Sequence, residues 1–257
     1  MTRLIGLLLA LASMGTCAFA GERKDAKTEP PAPSMRFEWR VEPGTAGCGK
    51  ECRRWLYAAG PITPQTPDDF TSFAAPHDLT GATLVLDSEG GSVSGAMELG
   101  RKVRALGMRT TVGRLAARTG SDAAPVAPAP DAACSSMCGF VLLAGVQRHV
   151  PREASVNVHQ IWLAKKRNKI LTSSYTAAEV SLVQRDVARL ARYTVEMAGD
   201  LELFEIALQV PSWGPMHRLS ADELVRAKLI TPASPSAATP VAAGPSPPAS
   251  GGTIGRP

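Results

Sequence analysis

The stretch Leu84-Val85-Leu86-Asp87-Ser88-Glu89-Gly90-Gly91 constrains this chain more than any other. The continuous apolar run from Ala82 to Leu86 reads as a strand buried on both faces, as in a parallel sheet. It ends in a Gly-Gly turn. A helix follows, with Val93, Met97, Leu99, Val103 and Leu106 on its apolar face and Gly107 as its stop. Arg109 to Gly113 is the next strand. Strand–helix–strand units build parallel sheets, and ligands sit at the carboxyl ends of their strands. An α/β fold is therefore expected. The turn lacks the G-x-G-x-x-G spacing of a dinucleotide site. Its paired glycines offer close backbone approach and exposed N–H donors instead.

The second informative stretch is Cys134-Ser135-Ser136-Met137-Cys138-Gly139, followed by the apolar Phe140 to Ala144. Small polar residues before an apolar run mark a helix start. Unpaired amides and a positive dipole at such a start favour an anion or a developing oxyanion. Two readings stay open: Ser136 is a nucleophile, or Ser135 and Ser136 only cap a core helix. Residues 116–133 form an Ala-, Pro- and Asp-rich loop, long enough to be a flap over a site. Val150 to Trp162 reads as a strand region and carries His159. In chain order the pieces are a Gly-Gly turn, a serine at a helix start and a histidine. Acyl transfer needs oxyanion donors, a nucleophile and a base.

Other elements are local patterns. Trp55 to Gly60 is a strand candidate. Thr66-Pro67-Asp68-Asp69 starts a helix with Pro at its first turn. Thr176 with Glu179, and Ser220 with Glu223, have the spacing of capping boxes. Behind Thr176 an amphipathic helix is expected, with Val180, Val183, Val187, Leu190, Thr194 and Met197 on one face. Leu201 to Leu208 is a further short helix.

The 257 residues suit one main domain, at residues 36–231. Residues 1–20 read as a secretory signal: Arg3, an apolar core from Leu4 to Leu11, then Ala18-Phe19-Ala20 before the cut. Met14-Gly15-Thr16 before Cys17 makes a poor lipidation box. A soluble periplasmic or secreted product without a stable membrane anchor is expected. Residues 21–35 read as a disordered leader, and 232–257 as a disordered Pro/Ala/Ser tail.

Of the five cysteines, Cys17 leaves with the signal. Cys48, Cys52, Cys134 and Cys138 remain as two C-x3-C pairs in an oxidising compartment. One helical turn separates such Cα atoms by about 6 Å, within disulfide reach. Local bridges Cys48–Cys52 and Cys134–Cys138 are the first expectation, although four cysteines allow three connectivities. The spacing is unusual for zinc, and no metal site is expected. Loss of Arg3 lowers the net charge from +5 to +4. The basic residues are scattered apart from Lys165, Lys166, Arg167 and Lys169, and aromatics are scarce. That composition argues against nucleic-acid binding. His77, His149 and His217 read as surface residues.

The segments L-D-S-E-G-G-S-V-S-G, S-S-M-C-G-F-V-L-L-A-G and R-H-V-P-R-E-A-S-V-N-V-H-Q resemble the proteolytic subunit of the Clp protease and the wider Clp/crotonase superfamily. The closing L-S-A-D-E-L-V-R-A-K-L-I is similar to that family's last helix. The resemblance runs from about Trp55 to Ile230, and the signal and cysteines are most like exported Clp-like proteins. It implies a spiral of strand–helix repeats with a mainly parallel sheet and a helical C-terminal part. It implies Ser136 as nucleophile, His159 as general base, and an oxyanion hole from the amides of Gly91, beside Gly90, and Met137. It also implies a peptide or protein substrate, no cofactor, and homo-oligomeric rings that stack through a handle near 160–185. The family's third member, an Asp, has no counterpart in Trp213-Gly214-Pro215-Met216-His217-Arg218. Losing that carboxylate costs a triad on the order of 10⁴ in rate. Asp200, Glu202 or Glu205 could replace it, or a Ser–His dyad could act alone. A scaffold that keeps the cleft without catalysis is the alternative. Cys138 as a thiol nucleophile is disfavoured by oxidation. Thioester chemistry is disfavoured because coenzyme A is not expected outside the cytoplasm.

Overall fold

A computed structural model of the chain describes residues 34–41, 53–115, 128–161, 163, 166 and 171–232. The expected signal, residues 21–33 of the expected leader, Cys48, Cys52, residues 116–127 of the expected flap and most of the tail lie outside them, as does the 165–169 basic run apart from Lys166. Met35, placed at the end of the disordered leader by composition, is instead buried in the main apolar cluster. In chain order the strands are β1 (Arg36–Val41), β2 (Arg54–Ala59), β3 (Thr83–Asp87), β4 (Arg109–Val112), β5 (Ala133–Ser135), β6 (Arg148–His149), β7 (Ser155–Val158) and β8 (His217–Arg218). The helices are α1 (Thr66–Ala74), α2 (Val93–Ala105), α3 (Met137–Leu143), α4 (Ala177–Glu196), α5 (Glu202–Gln209) and α6 (Ala221–Arg226).

The fold is α/β with two mixed sheets. The first has the order β1-β2-β3-β4-β6 and the second β5-β7-β8. β2–β3, β3–β4, β4–β6 and β5–β7 pair in parallel; β1–β2 and β7–β8 are antiparallel. Strand alternation sorts the first sheet's faces. Leu56, Ala58, Leu84, Leu86 and Val112 join the main apolar cluster with the buried residues of α2 and α3. Tyr57, Val85 and Thr111 lie on the other face. The sheets meet where Ser88, just past β3, pairs with Cys134: Ser88 N–H donates to Ala133 C=O at 2.9 Å, and Ser135 N–H to Ser88 C=O at 2.8 Å.

The strand expected over Val150 to Trp162 is shorter than its apolar content. Pro151 cannot donate to a ladder, and Ala154 N–H turns back to Pro151 C=O at 3.1 Å, so β7 begins at Ser155. Within the expected flap region, β5 emerges at its very end. Both capping boxes form, Thr176 with Glu179 on α4 and Ser220 with Glu223 on α6. The apolar face of α4 divides in two. Leu190, Thr194 and Met197 are buried, whereas Val180 is 46% exposed.

α3 is buried along its whole length. Its far end is gripped by two arginines: Arg104 Nη2 and Arg148 Nη1 both donate to Leu143 C=O (3.2 and 3.0 Å) and to Met197 C=O (2.8 and 3.2 Å). The middle of α3 is tied to α4 by Tyr193 Oη, which donates to Phe140 C=O at 2.9 Å. Burial pushes the Tyr193 phenol well above its ordinary pKa. Tyr193 comes this close to α2 because Gly100 carries no side chain; a Cβ there would collide with Tyr193 Oη and stand 2.9 Å from its Cζ. Gly100→Ala is therefore expected to destabilise the fold by about 2 kcal/mol. Gly139→Ala, whose Cβ would meet only Val156 Cγ1 at 3.7 Å, is expected to be neutral or to stabilise by about 0.5 kcal/mol. Urea unfolding of the two variants checks the contrast.

Candidate active site

The turn from β5 into α3 passes through Ser136 at φ 54° and ψ −123°. A non-glycine residue there carries strain of about 1–3 kcal/mol. Ser136 occupies the N-cap position, yet its side chain makes no capping hydrogen bond. The capping reading thus fails for this residue, and its hydroxyl is not engaged by the helix. Ser135 differs. It is 9% exposed, and its Oγ accepts from Asn157 Nδ2 at 3.0 Å. Of the two serines, Ser136 is the one with an available hydroxyl.

The turn is held by backbone on two sides. Ser136 N–H donates to Asn157 C=O at 2.7 Å. On the other side lies Gly90, at φ +89°; a Cβ there would stand 2.5 Å from Ser135 C=O oxygen, 2.8 Å from Met137 N and 2.9 Å from Ser136 Cβ. Only a bare backbone fits. Gly91 follows at φ +143°, with Ile62 oxygen where its Cβ would be. Ile62 N–H donates to Gly90 C=O and Ser92 N–H to Ile62 C=O, both at 2.8 Å. The ladder thus uses the neighbours of Gly91, and its own N–H points away from Ile62. Met137 opens α3, where no intrahelical acceptor exists for its amide. Among the described residues, neither the Gly91 nor the Met137 amide donates a hydrogen bond. Two donors therefore flank the Ser136 turn.

His159 is the first residue past β7 and is half-buried. Register places Ser135 opposite Asn157, so Ser136 and His159 leave their strands at the same end of the small sheet. Among the described residues the two side chains share no hydrogen bond. The proposed replacements for the missing Asp are engaged elsewhere or exposed: Asp200 pairs with Lys228 at 3.2 Å, Glu202 with Arg226 at 2.9 Å, and Glu205 is exposed on α5.

The carboxylate that the fold brings to β8 is Glu223. Both its oxygens lie 3.0 Å from Nε2 of His217, and His217 stands opposite Val158 of β7. His217 is thus at the surface, as expected, but is paired there with a carboxylate. His77 likewise stacks on Trp39, while His149 is exposed. The Ser220 amide, and after it His217, hold the Glu223 carboxyl down at about 2 despite partial burial.

Cys134 and Cys138 are joined by a disulfide with Cα atoms 5.2 Å apart, and both are fully buried. No group of three His, Cys, Asp or Glu side chains among the described residues is placed to hold a metal ion. A cavity of about 490 Å³ lies elsewhere, over Trp55, Thr83, Arg109 and Thr111, and neither Ser136 nor His159 lines it. Asn157 escaped the sequence reading. Its signal was the alternation of Ser155 and Asn157 with Val156 and Val158, which puts Asn157 on the face of Ser135. Among the described residues, no helix is long and apolar enough to cross a membrane. No protein-family model and no curated protein sequence matches the chain.

Two outcomes are expected. Gly90→Ala adds both a collision with the Ser136 turn and a side chain at positive φ, and should destabilise the protein by about 2–4 kcal/mol in urea unfolding. Glu223 has a folded pKa below its usual value of about 4.3. Its stabilising contribution is therefore fully present above that value and is lost as pH falls through about 2. Glu223→Gln should flatten the fall in thermal midpoint between pH 5 and 2.

Proposed function

We propose that this chain is an exported Clp-like serine hydrolase acting on peptide or another acyl bond. The observation that carries the reading is the conformation of Ser136. A serine with an uncommitted hydroxyl stands on a strained strand-to-helix turn, against a Gly-Gly backbone and beside two undonated amides. In this reading Ser136 Oγ attacks the acyl carbon while His159 takes its proton. The Gly91 and Met137 amides stabilise the oxyanion. Collapse breaks the bond to the leaving group, which takes the proton from His159. Water, deprotonated by the same imidazole, then releases the acyl group and restores Ser136. No metal or cofactor is required.

The short motifs that resemble the Clp/crotonase superfamily support the same assignment, and with it the expectation of a spiral of strand–helix repeats with a mainly parallel sheet. Apolar residues left exposed on α4, Val180, Leu182 and Val195, support a homo-oligomer in which that helix meets a second copy. Ala18-Phe19-Ala20 and the buried disulfide support a periplasmic or secreted site of action. The second reading is a scaffold that binds peptides or protein partners in the same cleft. It is favoured by the absence, among the described residues, of a hydrogen bond between the Ser136 and His159 side chains, and by the pairing of Glu223 with His217.

A fluorophosphonate probe separates the two. Across pH 6–9 the mature protein should be labelled at a single site, and Ser136→Ala should abolish labelling. His159→Ala should slow it by about 10²–10⁴-fold. Equal labelling of wild type and Ser136→Ala, or none of either, leaves only the scaffold.

A further inference from the structure

We propose that the Cys134–Cys138 bridge is the positioning element for Ser136, acting as a permanent brace on the nucleophile turn. As a statement about Ser136 reactivity it rests on the hydrolase reading above. As a statement about the turn it does not.

Ser136 is in a conformation that glycine adopts freely and serine does not. A glycine would relieve the turn but remove the hydroxyl. Holding a serine there needs outside restraint. The backbone hydrogen bonds that hold the turn are Ser135 N–H to Ser88 C=O, Ser136 N–H to Asn157 C=O at 2.7 Å, and Gly139 N–H to Ser136 C=O at 3.1 Å. Rotating the Ser136 peptides into an ordinary conformation would break the last two together. The bridge is different in kind. It ties the middle of β5 to the second residue of α3 and spans only Ser135, Ser136 and Met137. With Cα atoms 5.2 Å apart at its ends, the chain must reverse within those three residues.

Two observations separate this role from others a disulfide can have. The enclosed loop is very short, so the bridge removes less freedom from the unfolded chain than a long-range link would. Both cysteines are also fully buried, as members of the main apolar cluster. A reductant reaches them only if the turn first opens. The bridge is therefore a fixed brace and not a redox switch.

The test uses the mature protein with both cysteines replaced by alanine, which matches their small apolar surroundings. A Cys134→Val, Cys138→Ala version is held in reserve should the first fail to fold. Amide hydrogen exchange is the primary readout. Exchange at Ser136 and Gly139 should rise at least tenfold without the bridge, while Leu84 to Leu86 of β3 stays unchanged. Fluorophosphonate labelling should fall 10- to 100-fold at temperatures where the variant is fully folded. Its pH profile should keep its shape, because the base is untouched. Unchanged exchange at Ser136, or a rise spread equally over β3, overturns the brace. Absence of labelling in the wild type overturns the hydrolase reading alone, and exchange then decides the brace.

Discussion

The approach of Gly90 to the backbone of Ser135–Met137 is the constraint on which the rest of this structure depends. The carboxyl end of β3 and the β5–α3 turn cross so closely that no Cβ fits between them. The crossing is where the two sheets are stitched together, through Ser88 and Cys134. It also decides chemistry. A side chain at position 90 would displace the Met137 amide and the Ser136 Cβ at once. Core formation and site formation thus share one contact.

The other end of α3 is fixed by a less usual device. Arg104 and Arg148 aim at the same two carbonyls, Leu143 and Met197, with no carboxylate between them. Burial first, and the neighbouring Arg104 second, lower the Arg148 pKa to about 10. Two like charges are tolerable here because the carbonyls belong to the ends of α3 and α4, where the helix dipoles are negative. Opening either helix end would leave the buried Arg148 guanidinium without at least one of its acceptors. α3 is thereby clamped at its carboxyl end by charge and at its amino end by backbone contact and a disulfide. A helix of seven residues, too short to be stable alone, becomes a rigid mount for the residue that precedes it.

Elements that announce themselves locally were legible in the sequence. β3, α2 and β4 follow from apolar periodicity and from Gly107, and both capping boxes follow from Ser or Thr with Glu three residues later. β5 and β8 were not, because nothing local defines them. β5 exists through Ser88 on one side and Asn157 on the other, and β8 through β7. Such short ladders are set by tertiary partners and carry little propensity of their own. The buried half of α4 begins only at Leu190, since periodicity reports which face is apolar but not what covers it. At the candidate site, the order of Gly91, Ser136 and His159 was readable. That the Ser135 hydroxyl is taken by Asn157 while Ser136 makes no capping bond was not readable, because both depend on the tertiary placement of β7.

Ser136 itself shows why sequence consistency is an unreliable guide at a site. Local preference at that turn favours glycine, and a capping serine would favour extended backbone. The chain has neither. It keeps a serine in a glycine-like conformation and surrounds it with compensations: a glycine opposite, a disulfide across, and two ladder bonds alongside. Glycine would fill the same space with less strain, so packing alone does not account for a serine held there. Glu223, the carboxylate next to β8, is committed to His217 and to the α6 cap. Among the described residues the bracing thus converges on the Ser136 turn, through one glycine, one disulfide and two backbone hydrogen bonds.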